Sequence, residues 1–175
     1  AKTRGRNRVE LFDQALADAV EVEAAQQRFL RDALREERMV MHFQPLVHAH
    51  TGSIVGYEAL ARVRTVGGEI VGPDRFLAPH IPADLMYALD SAAFEQSCAA
   101  AAELAQLHPQ SPPYVSCNLS ASTLSHRGLV DMITATAERH LVSPTQIWIE
   151  VTENAAFSSG PGSFESLTVI PRCAF

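Results

Sequence analysis

The 175 residues carry a formal net charge of −6, are 47% hydrophobic and 19% charged, and contain three cysteines. That composition describes one globular domain with a real core, and its acidity excludes a general nucleic-acid or anionic-membrane binder while leaving room for a local basic phosphate site. Cys98, Cys117 and Cys173 form no CxxC pair and an odd set, so neither a disulfide framework nor a zinc knuckle is expected, and the cytosol is the simplest compartment.

The opening residues hold Lys2, Arg4, Arg6 and Arg8. "AKTRGRNRVELF" has no apolar centre of a signal peptide, and no apolar run reaches the roughly 18 residues of a membrane span. The absence of an initiator Met suggests a chain that begins inside a larger protein. Residues 10–38 have no Gly or Pro, and Leu11, Phe12, Leu16, Ala19, Val20, Phe29, Leu30, Ala33 and Leu34 recur at helical spacing. One long helix is expected there, packing this stripe on a neighbour.

"MVMHFQPLV" and "IVGYEALARV" are apolar runs separated by "HAHTGS", whose Thr-Gly signals a turn, so two adjacent strands are predicted. "RTVGGEIVGPDRF" reads as a Gly-rich loop ending at Pro73. A helix comes next, from about Ala83 to Gln106, stopped by "HPQSPP". "YVSCNLSA" is a short strand ending at Asn118, with Ser120 or Ser122 placed to cap the next element. A further helix is expected from about His126 to His140, then a strand in "IWIEVTEN" with Ile147, Ile149 and Val151 alternating. This order predicts a parallel α/β sheet forming part of a barrel. A barrel of that type needs on the order of 250 residues, and the tail "SSGPGSFESLTVIPRCAF" has no helical stripe, so the chain reads as cut short or redirected.

Glu58, Asn118 and Glu150 sit at comparable places near strand ends, and in parallel α/β folds the carboxyl ends of the strands form the ligand face. Two carboxylates and an amide oxygen are hard ligands that suit Mg²⁺ or Mn²⁺. Arg62 lies four residues after Glu58 on a strand and therefore faces the same side, where its fork can hold a phosphate. The plainer reading of any single one is a solvated or capping group. Glu153 also reads as a first-turn helix acid, Gln44 as a backbone hydrogen-bonder, and His48 and His50 as turn surface.

"FQPLVHAHTGSIVGYEALARV", with "PDRF", "NLSAS" and "IEVTEN" after it in order, resembles the EAL domains, the cyclic di-GMP phosphodiesterases, with Glu58, Ala59 and Leu60 as the naming triplet. The resemblance covers about residues 39–157. It implies an incomplete TIM-like (β/α) barrel of the EAL type whose first strand runs against the others, preceded by a long N-terminal helix. It implies Glu58, Asn118 and Glu150 as ligands of Mg²⁺ or Mn²⁺, with Glu58, Glu150 and Glu153 catalytic and Glu153 supporting the loop near the metal. Gln44, Leu60 and Arg62 would contact the dinucleotide, and two cations would assist its hydrolysis to linear pGpG.

"AKTRGRNRVELFD" resembles the end of a GGDEF, or diguanylate cyclase, domain. The expected organisation is a GGDEF remnant at 1–9, a linker helix at 10–38, a partial EAL domain at 39–157 and an atypical tail at 158–175. Cyclic di-GMP is the expected ligand, and a homodimer or a tandem GGDEF domain the expected protein partner. The sequence departs from the family after "TENAAF": no DDFGTG segment comes next, nor the Lys, Glu and Gln that complete a two-metal site. "LAPHIPADL" stands where the family has AE-x-x-G, and Val63 where it has Trp. Hydrolysis is therefore expected to be weak or lost, the alternative being a non-catalytic domain that binds cyclic di-GMP or a protein.

Overall fold

Helix α1 spans Gln14–Arg35 in the computed structural model, which describes residues 14–151. Its last turns carry the packing: Leu30 and Ala33 are fully buried, and Phe29 and Leu34 lie against the core. Gln26 and Gln27 donate from their side-chain amides to the carbonyls of Asp74 and His80, fastening this half to the body. The first half of the expected stripe is more exposed: Leu16 by 44% and Val20 by 57%, while Leu11 and Phe12 lie outside the described residues. The helical periodicity holds there, but a stripe marks an apolar face without saying what covers it.

The helix ends in a Schellman turn. Arg38 N–H donates to Ala33 O and Glu37 N–H to Leu34 O, with Glu37 in the left-handed region at φ 52°. The chain then enters β1 (Met39–Val47) and returns, through a turn with Gly52 at φ 69°, as the antiparallel strand β2 (Ile54–Arg64). The expected Gly-rich loop contains a two-residue strand, β3 (Ile70–Val71), antiparallel to β2, and a single 3-10 turn at Pro73–Arg75. Both are too short to leave a periodic signal.

Helix α2 (Ala83–Leu107) leads to β4 (Tyr114–Leu119), which runs parallel to β2. The helix expected from His126 is divided in two: α3 (Ala121–Leu124), capped by the Ser120 hydroxyl accepting from Thr123 N–H, and α4 (Leu129–His140). The break falls at Gly128, whose N–H is taken by His126 Nδ1. Strand β5 (Ile147–Val151) then lies parallel to β4.

The sheet order is β1-β2-β4-β5, with β3 beside β2. Among the described residues it is an open sheet of mixed direction: β2, β4 and β5 run parallel as expected, β1 runs against them as the resemblance implies for the first strand, and β3 also joins β2 through a short connection that only antiparallel pairing allows. Ala59, Val63, Val115, Cys117 and Leu119 are buried on one face, in a core shared with Leu89, Phe94 and Cys98 of α2. Each large apolar side chain buried there contributes on the order of 1.5–3 kcal/mol of hydrophobic stabilisation. Among the described residues no helix is long and apolar enough to cross a membrane.

Candidate functional site

Strand alternation sends the even-numbered residues of β1, β2, β4 and β5 to the other face. Gln44 lies opposite Glu58, Glu58 opposite Ser116, Ser116 opposite Trp148, and Asn118 opposite Glu150. Four strands thus bring Gln44, Glu58, Asn118 and Glu150 onto one surface. Asn118 Nδ2 donates to Glu58 Oε1 at 3.1 Å. Leu60 comes after Glu58 on the same face, with His42 opposite it on β1.

Arg62 is on this face as well, but about 13 Å further along β2 by strand rise. Its guanidinium donates to Ala61 O at 2.7 Å, and among the described residues no ion pair joins it to Glu58. The structure therefore separates a carboxylate-amide end from a guanidinium end. Glu153 lies outside the described residues. His48 and His50 are exposed in the β1–β2 turn with ring centroids 5.8 Å apart, away from the strand positions of this face.

Three features beside these residues have no counterpart in the sequence reading. The Tyr114 ring lies over Gly56, so close that a Cβ there would meet it at 2.7 Å, and it stacks on Trp148 at 4.4 Å between centroids. Ser116 is wholly buried between Glu58 and Trp148. Asp90 of α2 is buried and accepts from Ser120 N–H at 2.9 Å and from the Ser120 hydroxyl at 2.7 Å, fixing the turn two residues after Asn118. Burial pushes the Asp90 carboxyl up, opposed by the hydrogen bonds from Ser120 and Thr123. Counting back two residues from Asn118 and from Glu150 gives Ser116 and Trp148; Asp90 has no local signal.

Among the described residues no three His, Cys, Asp or Glu side chains cluster as a metal site. The two carboxylates and the amide of Glu58, Glu150 and Asn118 offer hard oxygen donors, the type that suits Mg²⁺ or Mn²⁺. A cleft of about 410 Å³ between α1 and residues 65–75 includes none of them.

The EAL domain family profile matches residues 27–166. The bifunctional diguanylate cyclase/cyclic di-GMP phosphodiesterase MucR of Pseudomonas aeruginosa is 28% identical over 163 residues, 93% of this chain and 24% of MucR. The cyclic di-GMP phosphodiesterase NbdA of the same organism is 29% identical over 157 residues, 89% of this chain and 20% of NbdA. The chain thus spans about a quarter or less of the length of these two relatives. Among solved structures, the PaMucR phosphodiesterase in its c-di-GMP complex superposes with a TM-score of 0.76 at 27% identity, over 85% of this chain and 60% of that one. The Xanthomonas citri FimX EAL domain in complex with c-diGMP gives 0.73 at 19% identity, over 91% and 60%, and shares the fold.

Proposed function

The chain belongs to the EAL domain family, the cyclic di-GMP phosphodiesterases, and we propose that it binds cyclic di-GMP and a divalent cation on the face of Glu58, Asn118 and Glu150. The observation that carries this reading is the position of Asn118, hydrogen-bonded to Glu58 on one side and paired in register with Glu150 on the other. Glu58, Asn118 and Glu150 hold the cation through oxygen. Arg62 swings from the Ala61 carbonyl to grip a phosphate with two parallel hydrogen bonds. Leu60 supplies apolar contact and Gln44 a hydrogen bond to the dinucleotide, and Glu153 steadies the loop after β5.

Bound Mg²⁺ or Mn²⁺ supplies Lewis-acid activation of water and charge neutralisation at the phosphodiester, the chemistry that yields linear pGpG in this family. These 175 residues hold no adjacent pair of aspartates to complement Glu58 and Glu150. Much of the electrostatic stabilisation of a two-cation transition state is thereby missing. This polypeptide by itself accordingly binds the dinucleotide without useful turnover. The segment before α1 is read as the end of a GGDEF domain, the natural tandem partner.

Calorimetry with cyclic di-GMP and Mn²⁺ is expected to give a binding heat that Arg62→Ala abolishes, while chromatography detects no pGpG. A folded sample that gives no heat overturns the binding reading. Formation of pGpG that disappears in Glu58→Ala overturns the loss of turnover.

A further inference from the structure

Trp148 is the single tryptophan of the chain, and it stands on the face of the sheet that carries Glu58, Asn118 and Glu150 rather than in the core. Its indole stacks on the Tyr114 ring, with 4.4 Å between centroids and 16° between planes, yet the residue is 54% exposed. One face of the indole is therefore covered and the other is open. The pair is also held in place. Gly56 has no Cβ, and one there would meet the Tyr114 ring at 2.7 Å, so the ring lies down where β2 leaves room for it. A cross-strand aromatic pair stabilises a sheet by itself, and burying both rings would add to that. Here the outer ring is presented to water on a fixed support, which is the form of a stacking surface.

Its place on the sheet names what would stack there. Glu58, Ser116 and Trp148 form one row across β2, β4 and β5, and Asn118 and Glu150 pair two residues further along the same face. By strand geometry Trp148 is about 7 Å along β5 from Glu150 and about 10 Å across the sheet from Glu58. A nucleotide whose phosphate is held through a cation on those carboxylates has its base within that reach. The base is flat and uncharged, so the carboxylates that repel a bare phosphate do not repel it.

We infer that Trp148, backed by Tyr114, is the stacking platform for one guanine base of the bound cyclic dinucleotide, with the base on the open face of the indole. The inference rests on the reading of this face as a cyclic di-GMP site. Stacking on an aromatic side chain accepts any base, because every base has a π-face. The platform therefore supplies affinity and orientation rather than a choice among bases. With the phosphate fixed at the cation and one base fixed at Trp148, the dinucleotide can lie across the strands in one direction.

The test reads Trp148 emission and calorimetric affinity together, on the full chain with Mn²⁺. Cyclic di-GMP and GMP are expected to quench the emission, and ribose 5-phosphate, which has no base, to leave it unchanged. Trp148→Ala is expected to weaken cyclic di-GMP binding about tenfold, and Trp148→Phe, which keeps a stacking ring, far less. Far-UV circular dichroism checks that both variants fold, and the wild-type quenching stands without either. Binding heat without quenching, or affinity unchanged in Trp148→Ala, overturns the platform and leaves the dinucleotide site standing. So does emission that changes with chain concentration in the absence of nucleotide, which assigns the open face to a second copy, or an indole that acrylamide cannot reach. Wild-type chain that gives no heat with cyclic di-GMP overturns the dinucleotide site itself, and the platform with it.

Discussion

Asn118 joins two strands of the candidate site by donating from Nδ2 to Glu58 Oε1 at 3.1 Å. In the absence of a cation that amide is a neutral spacer beside a carboxylate. Asn118→Asp removes the donor and sets two like charges against each other, at a cost of about 1 kcal/mol for partly exposed groups. The metal-free variant is expected to melt below the wild type, and Mn²⁺ to raise its melting temperature more than that of the wild type, since the cation gains a third carboxylate. Equal metal-free melting temperatures would show that the hydrogen bond does not hold the site.

Asp90 supports the same strand end from behind, through Ser120. Its folded-state pKa is raised above the ordinary 3.8, with burial as the main cause. The folded chain therefore holds this proton more tightly than the unfolded chain. The stability it contributes is fully present below that ordinary value and is lost as pH rises through the raised one. Asp90→Asn keeps one acceptor and cannot ionise, so the stability of wild type relative to this variant should fall from about pH 4 toward neutrality. Asp90→Ala, which leaves the Ser120 N–H and hydroxyl without their acceptor, is expected to cost about 1–2 kcal/mol at neutral pH. Parallel urea-denaturation profiles of wild type and Asp90→Asn across that range would rule out an ionisable, buried Asp90.

The packing of Tyr114 over Gly56 gives a spectroscopic handle, because Trp148 is the single tryptophan of the chain. A methyl at position 56 would lie 2.7 Å from the Tyr114 ring, which must then shift and disturb its stacking on Trp148. Gly56→Ala is expected to destabilise the fold by about 1–3 kcal/mol, as overpacking does, and to change the Trp148 emission. Ala at 56 with unchanged emission and stability would mean that the ring does not occupy that place in solution.

Much of this is legible in the chain. The two runs around "HAHTGS" and the alternation in "IWIEV" give β1, β2 and β5 nearly to the residue, because a strand with one buried face imposes its period on the sequence. Placing Glu58 and Arg62 on one face comes from even spacing, but their separation along the strand and the Arg62–Ala61 hydrogen bond do not, since periodicity specifies a face and not a rotamer. Asp90 is hidden for a different reason. An acid in an Ala-rich helix looks like surface until the strand end 30 residues later is folded against it.

Of the two helix ends closed by a non-glycine residue in the left-handed region, that of α4 offers a last prediction. Leu141 closes α4 in the left-handed region at φ 55°, with Val142 N–H donating to Ala137 O and Leu141 N–H to Glu138 O. A residue with a Cβ is strained there by roughly 1–2 kcal/mol, whereas glycine is not. The Leu141 side chain is 90% exposed, so its removal forfeits almost no packing, while the buried Val142 keeps the apolar contact of the motif. Against the relief stands the greater freedom of glycine in the unfolded chain, about 0.4–1 kcal/mol. The relief is the larger, so Leu141→Gly should stabilise the fold by about 0.5–1 kcal/mol, with a higher urea midpoint and an unchanged slope. Leu141→Ala keeps the strained Cβ and should give no comparable gain, which separates backbone strain from the loss of an exposed apolar group. A midpoint that does not rise in Leu141→Gly, or that rises equally in Leu141→Ala, would show that this turn stores no strain.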